Sequence, residues 1–233
     1  MRVTDHTAHD AAGVTGWVLH TGRVEDLVER AEALLQRRPR VVLGLCGPPG
    51  AGKSGFAARL VASLGPHAVV VPMDGFHLLD DELARLGRLD RKGAPDTFDT
   101  GGYAALLRRL REEADETVYA PAFDRDRELS LAGAIRVGPE HRLVVTEGNY
   151  LLLDAPGWRE VRPLLDECWF VTVDDDERRR RLVERHVRHG RTPEAAVAWV
   201  EHTDEPNARL VTGTAERADL VVGATDLPAW MAE

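Results

Sequence analysis

Cysteines and long apolar runs are the features that this 233-residue sequence has least of. Its two cysteines, Cys46 and Cys168, each lie inside an apolar run, which argues against a disulfide framework or a zinc cluster. No run approaches the roughly 18 apolar residues that a membrane helix needs. The opening residues MRVTDHTAHD are too polar for the apolar core of a secretory signal. We therefore expect a cytoplasmic protein with no membrane partner.

The charge balance is acidic, and this argues against nucleic acid as a partner. The formal net charge is −9, which argues against a general nucleic-acid coat, because such a protein needs a basic face. With 43% hydrophobic and 30% charged residues, the composition is that of a folded chain rather than a disordered one.

We predict a single domain over residues 1–233, with an N-terminal extension and helix at 1–39.

Apolar runs and helical periodicities alternate along the chain. The apolar, β-branched runs typical of buried strands lie at 41–46, 68–71, 143–146, 168–173 and 220–222. The segments with a helical apolar period lie at 24–38, 53–63, 102–113, 176–189 and 193–202. This alternation predicts an α/β fold, with a mostly parallel central sheet and helices on both faces in three layers.

The stretch from about 80 to 138 is polar and irregular. We expect residues 75–138 to form excursions above the carboxyl ends of the strands, where open α/β sheets build their ligand crevice.

A glycine-rich segment follows the first buried run. It reads Gly47-Pro48-Pro49-Gly50-Ala51-Gly52-Lys53-Ser54 and fits the pattern G-x-x-x-x-G-K-[ST], with Gly55 next in the chain. Glycines let backbone N–H groups turn inward around phosphate oxygens, and the following helix points its positive end at them. In this pattern the lysine reaches the β- and γ-phosphates and the serine hydroxyl takes a place on Mg²⁺. The segment therefore predicts a phosphate loop for ATP and Mg²⁺.

Two acidic residues follow later strands of the predicted sheet. Asp74 comes just after the run at 68–71, where a carboxylate can take a proton from a hydroxyl that attacks the γ-phosphate. The pair Asp74-Gly75 is equally ordinary turn chemistry, and the motif alone leaves both interpretations open. Glu147 ends another apolar run, as the usual companion of a phosphate loop on Mg²⁺ does.

Residues 178–191 contain seven arginines in an otherwise acidic protein. At 100° per residue, Arg178, Arg181, Arg185 and Arg188 fall within an arc of about 80°. One interpretation is a solvated charged face, and the other is a lid at 174–192 that closes over the phosphates. Arginine favours the second interpretation, because its guanidinium makes forked phosphate contacts.

Taken together, these motifs resemble the branch of P-loop kinases that includes uridine kinase, phosphoribulokinase and type I pantothenate kinase. The resemblance spans about residues 40–223, and it is strongest to the nucleoside/nucleotide kinase-like group, some of whose members are called fructose-transport kinases. Further segments carry it, namely Pro95-Asp96-Thr97-Phe98-Asp99, Tyr119-Ala120-Pro121-Ala122-Phe123-Asp124 and Glu147-Gly148-Asn149-Tyr150. It implies ATP- and Mg²⁺-dependent phosphorylation of a hydroxyl on a small metabolite.

The resemblance also implies roles for single residues. Asp74 matches the family's base, Lys53, Arg181 and Arg185 stabilise charge, and Arg178 binds the nucleotide. The residues that it places at the acceptor are Asp74, Phe98, Asp99, Phe123 and Asp124. Further acceptor candidates are His77, Tyr119 and Asn149, although a lone histidine after a turn is more often structural. Those that it places at the metal ion are Ser54 and Glu147. The sequence Gly75-Phe76-His77 departs from the Ser-Tyr of uridine kinases and is closer to the pantothenate kinase form, so the acceptor stays open.

Two other classes of function remain as alternatives. A nucleotide switch that hydrolyses its nucleotide would have little use for the long excursion at 75–138. An ATP-binding protein without turnover would not need Lys53, Ser54, Asp74 and Glu147 together. The helix that carries Trp199 is interpreted as core rather than interface, and a homodimer stays open.

Overall fold

The computed structural model describes residues 19–20 and 24–223. The N-terminal extension that the sequence predicts at 1–39 therefore lies largely outside the described residues, and the single domain over 1–233 stays a prediction.

The described strands are β1 (Leu19–His20), β2 (Val41–Cys46), β3 (Ala68–Pro72), β4 (Val118–Asp124), β5 (Leu129–Val137), β6 (Leu143–Gly148), β7 (Glu167–Thr172) and β8 (Leu220–Gly223). Six of them form one sheet in the order β1-β8-β7-β2-β6-β3, and every neighbouring pair is parallel. In this register Leu45 and Pro72 both pair with Glu147. The carboxyl ends of β2, β6 and β3 therefore meet at one edge.

The described helices are α1 (Val24–Leu34), α2 (Lys53–Leu64), α3 (Asp80–Arg85), α4 (Thr100–Glu112), α5 (Asp175–Arg188), α6 (Pro193–Trp199) and α7 (Glu205–Thr212). Buried residues of α1 and α2, such as Leu27 and Phe56, belong to one apolar cluster with alternate residues of the strands. Residues of α4, such as Tyr103, belong to a second cluster with the remaining strand positions. Helices thus cover both faces of the parallel sheet, and the predicted three-layer α/β fold is confirmed.

Two predicted helices have different ends in the structure. The helix predicted at 24–38 ends at Leu34, because the amides of residues 35–37 bond to carbonyls three residues back in a tighter turn. The helix predicted at 193–202 ends at Trp199 and gives way to a π-helical turn at Val200–Asp204. That wide turn comes directly before α7, whose second residue is Pro206, and the ring of a proline does not tolerate an ordinary helical turn behind it.

The predicted excursion contains more regular structure than its polarity indicated. Besides α3 and α4 it includes β4 and β5, which form a separate antiparallel hairpin. Little in the sequence indicates this hairpin, because Pro121 interrupts β4 at a register shift between Ala120 and Ala122.

Among the helices of residues 24–223, none has both the length and the apolar character that crossing a bilayer requires.

Candidate active site

A cavity of about 660 Å³ opens at the shared carboxyl edge of β2, β6 and β3. Its walls come from the phosphate loop, the turn after β3, the β4–β5 hairpin and the segment from α5 to α7. Both lysines of the chain, Lys53 and Lys92, line it. The cavity is thus the place where most of the predicted chemistry converges.

The phosphate loop has the backbone that the motif predicts. Gly50 and Gly52 have φ angles of +79° and +86°, a region that favours glycine, and α2 begins at Lys53 directly after them. The buried Lys53 Nζ donates to the Pro48 carbonyl at 3.0 Å and to Asn149 Oδ1 at 2.7 Å. Burial lowers the pKa of Lys53, and the charge of Glu147 opposes that shift.

Ser54 and Glu147 form the pair that could hold Mg²⁺. The Ser54 hydroxyl donates to Glu147 Oε1 at 2.9 Å, which joins the start of α2 to the end of β6. Burial and the nearby charge of Asp74 raise the pKa of Glu147. No group of three or more His, Cys, Asp or Glu side chains suited to a metal occurs in the described part of the chain. Two oxygen ligands nevertheless fit Mg²⁺, which binds through few protein groups and completes its shell with phosphates and water.

Asp74 lies in a short 3₁₀ turn, Met73–Phe76, immediately after β3. It lines the same cavity as Lys53 and Ser54, and its Oδ2 accepts a hydrogen bond from Arg125 Nη2 at 2.7 Å. Arg125 is therefore the cation in direct contact with the predicted base.

Three rings form a wall of the cavity beside Asp74. The His77 ring centroid lies 4.1 Å from that of Phe98 and 4.7 Å from that of Phe123. The ring nitrogen His77 Nδ1 is 2.9 Å from the Asp74 carbonyl oxygen. Burial lowers the pKa of His77, so the neutral ring is favoured at neutral pH. These contacts bring together His77, Phe98 and Phe123, three of the residues predicted at the acceptor.

Three residues predicted at the acceptor lie outside the cavity lining. Asp99 instead caps α4 by accepting from the Gly102 amide at 2.8 Å. Asp124 accepts from the amides of Asp126 and Arg127 and so stabilises the turn of the hairpin. Tyr119 is 59% exposed. Each is placed by the local geometry of its own element, which a motif match does not reveal.

The arginines that the sequence predicts on one face of α5 also have different surroundings in the structure. Arg185 lines the cavity, whereas Arg181 donates to Glu177 at 2.7 Å outside it. Arg178 is only 2% exposed, with Nη2 2.5 Å from Glu205 Oε1. Its Nη1 is buried without a hydrogen-bond partner among the described residues. A helical arc predicts that these residues share a face, but the neighbouring elements decide what each one touches.

Several cavity residues were not predicted from the sequence. Arg125 and Glu128 come from the hairpin turn, Asp80 begins α3, and Lys92 precedes a loop that Tyr150 holds through the Gly93 carbonyl. On the other side lie the α5–α7 residues His186, His189, Gly190, Arg191, Trp199, Thr203, Asp204 and Asn207. No motif marks these positions, although the scarcity of lysine could have drawn attention to Lys92.

Comparison with known proteins agrees with this geometry. Residues 42–227 match the profile of the "Phosphoribulokinase / Uridine kinase family". The chain belongs to this family. It is therefore a kinase of the uridine kinase/phosphoribulokinase type, the predicted resemblance is confirmed, and use of ATP follows from the family.

Individual members of the family show how far the likeness extends. The chain is 34% identical to a Schizosaccharomyces pombe protein named "Putative uridine kinase C227.14", over 85% of this chain and 89% of that protein. A solved structure from Silicibacter sp. TM1040, described as a "putative fructose transport system kinase", is 42% identical with a TM-score of 0.77. That match covers 84% of this chain and 98% of the other. YFH7 from Saccharomyces cerevisiae shares the fold, with a TM-score of 0.76 at 18% identity over 87% of this chain and 98% of that one.

Proposed function

We propose that this family member transfers the γ-phosphoryl group of ATP to a hydroxyl of a small metabolite, with Mg²⁺ as cofactor and Asp74 as base. One observation carries the proposal. The Asp74 carboxylate lies in the same cavity as Lys53 and Ser54, beside a wall of rings that an organic acceptor can contact.

In this proposal each residue has a separate task. Asp74 accepts the proton that the acceptor hydroxyl loses as its oxygen bonds to the γ-phosphorus and the bond from that phosphorus to ADP breaks. Lys53 and Arg185 place positive charge beside the transferring phosphoryl group. Ser54 and Glu147 would hold Mg²⁺, which supplies further positive charge to the phosphate oxygens.

The test is release of ADP by the purified chain with Mg·ATP and a panel of acceptors. The panel holds nucleosides, pantothenate, fructose and other sugars, and ribulose 5-phosphate. We expect Asp74→Asn to lower acceptor-dependent ADP release by about 10²- to 10⁴-fold, the usual contribution of a general base. ATP affinity should stay within about threefold, because the phosphate contacts come from other residues.

Asp90→Asn is the matched control, because Asp90 is largely exposed and lies outside the cavity lining. It should leave turnover unchanged. If Asp74→Asn weakens ATP binding as strongly as turnover, the assignment of Asp74 as base is wrong. A steady ADP release that no acceptor changes would favour a nucleotide-hydrolysing switch, and ATP binding without any release would favour a binding protein.

A further inference from the structure

Arg125 has hydrogen-bonding capacity directed at the cavity that the proposed reaction leaves unused. Its Nη2 donates to Asp74, and no other hydrogen-bond partner of its guanidinium occurs in the described ranges 19–20 and 24–223. The side chain is 46% exposed and lines the cavity. An arginine carries five N–H donors in a planar fork, so most of this fork can still bind a ligand.

The position of Arg125 is set by packing of the hairpin on the turn that carries Asp74. A Cβ on Gly75 would lie 2.5 Å from the Pro121 carbonyl oxygen, so β4 and this turn touch at backbone distance. Ser130 Oγ also donates to the His77 carbonyl at 3.1 Å. The hairpin therefore holds Arg125 against the predicted base through several contacts.

The other cation beside this wall, Lys92, is already satisfied. Its Nζ donates to Asp80 Oδ1 at 2.7 Å and to Glu128 Oε2 and the Glu128 carbonyl at 3.0 Å each. These three bonds use the three donors of an ammonium group. Lys92 and Arg125 both lie close enough to His77 for their charges to lower its pKa, so they belong to one wall of the cavity.

The donors still open in this wall belong to Arg125, because Lys92 has used all three of its own. Asp80 and Glu128 are bound by Lys92, and Asp74 is bound by Arg125. The open donor capacity beside the predicted base therefore belongs to a guanidinium. A guanidinium fork matches a carboxylate or a phosphate, which it can bind through two parallel hydrogen bonds.

We propose that the acceptor is an anionic hydroxy compound and that Arg125 binds its carboxylate or phosphate. Arg125 then bridges Asp74 and the anion, so that the anion and the reacting hydroxyl lie within a few bonds of each other. This inference rests on the proposed kinase function and narrows its substrate class.

The experiment compares matched acceptors that differ in one charged group. The pairs are glycerate and glycerol, gluconate and glucose, and ribulose 5-phosphate and ribulose, each assayed for ADP release and for binding by calorimetry with Mg·AMP-PNP. The first two pairs test a carboxylate and the third tests a phosphate. We expect the native chain to prefer the anionic member of at least one pair, in kcat/KM or in affinity.

The variants are Arg125→Gln and Arg127→Gln. Arg127 lies on the same turn, is 71% exposed and is outside the cavity lining, so its loss should change nothing. Arg125→Gln should lower the anionic-to-neutral preference about 10- to 100-fold, because charge-assisted hydrogen bonds are lost. Arg125→Lys should restore only part of it, since the charge returns without the fork. The ratio isolates anion recognition, because a change at Asp74 alters both members of a pair.

Two results would overturn the inference. One is that the native chain prefers no anionic member. This result includes the case in which the neutral members react equally well and the case in which neither member of any pair reacts. The other is that Arg125→Gln keeps the native preference. Failure of the kinase proposal is recognised separately, because Asp74→Asn would then leave ADP release unchanged.

Discussion

Gly50 is the residue where the phosphate loop meets the arginine-rich helix. Its φ is +79°, and a Cβ there would lie 2.8 Å from Leu182 Cγ and 2.9 Å from the Arg178 carbonyl oxygen. The residue is therefore constrained both by its own backbone and by α5. The motif predicts glycine at phosphate-binding turns in general. The contact of Gly50 with α5, which is distant in the chain, is seen only in the folded protein.

We predict that Gly50→Ala lowers nucleotide affinity at least about tenfold, because the loop must shift away from α5 and its amides leave the phosphate positions. Calorimetric titration with Mg·AMP-PNP measures the effect. Gly65→Ala is the matched control, because Gly65 has a φ of +80° and a Cβ added there would meet no atom within 4 Å. Both changes should cost about 1–3 kcal/mol of stability through backbone strain. Equal affinities in the two variants would contradict the role of the α5 contact.

At the scale of elements, one ion pair joins α5, the helix of the predicted lid, to α7. Arg178 on α5 is almost fully buried and donates to Glu205, the first residue of α7. Arg179 donates to the other oxygen of the same carboxylate at 3.1 Å. Glu205 therefore compensates a charge that water does not reach, and it fixes α5 relative to α7.

Glu205→Ala should lower the free energy of unfolding by about 3 kcal/mol, because removing one partner leaves a buried charge uncompensated. Asp175, which accepts from Arg178 Nε at 3.0 Å, keeps the loss from being larger. Urea unfolding measures the change. Glu184→Ala removes an ion pair from the same helix, but Glu184 is 53% exposed and the cost should be under about 1 kcal/mol. If both variants lose the same stability, burial of the Arg178–Glu205 pair adds nothing to its contribution.

Sequence reasoning and structure differ most at this scale. The helical arc through Arg178, Arg181 and Arg185 predicts one basic face, yet the three side chains have three surroundings. Periodicity fixes the direction of a side chain from its own axis, whereas α7 and the phosphate loop determine which of them reaches the cavity. Asp99 is a further example, because its carboxylate accepts a hydrogen bond from the first turn of α4 instead of lining the cavity.

For the whole molecule, the cavity is a junction of segments distant in the chain. The phosphate loop, the turn after β3, the hairpin and the α5–α7 segment each contribute lining residues. A ligand that contacts several of them stabilises the folded state as a unit, because the unfolded chain does not bind it.

Mg·AMP-PNP at a hundred times its Kd should therefore raise the free energy of unfolding by about 2.7 kcal/mol. Removing Mg²⁺ with EDTA should take away part of this gain, and Ser54→Ala should take away the same part without added EDTA. Ser63→Ala, an exposed serine of the same helix, is the control and should respond like the native chain. Chemical unfolding with and without ligand gives all the values. A gain that is equal with and without Mg²⁺ in the native chain would contradict Ser54 and Glu147 as its ligands.

The layered α/β fold, the phosphate loop and the two carboxylates at the ends of their strands can be predicted from the sequence. These features are local, since strand runs, helical periods and glycine turns depend on residues near one another in the chain. Three pairings become visible only in the folded protein: Arg125 with Asp74, Lys92 with Asp80 and Glu128, and Arg178 with Glu205. The two residues of each pairing come from different elements of the chain. Packing between these elements brings the residues together, and no local sequence pattern records that packing.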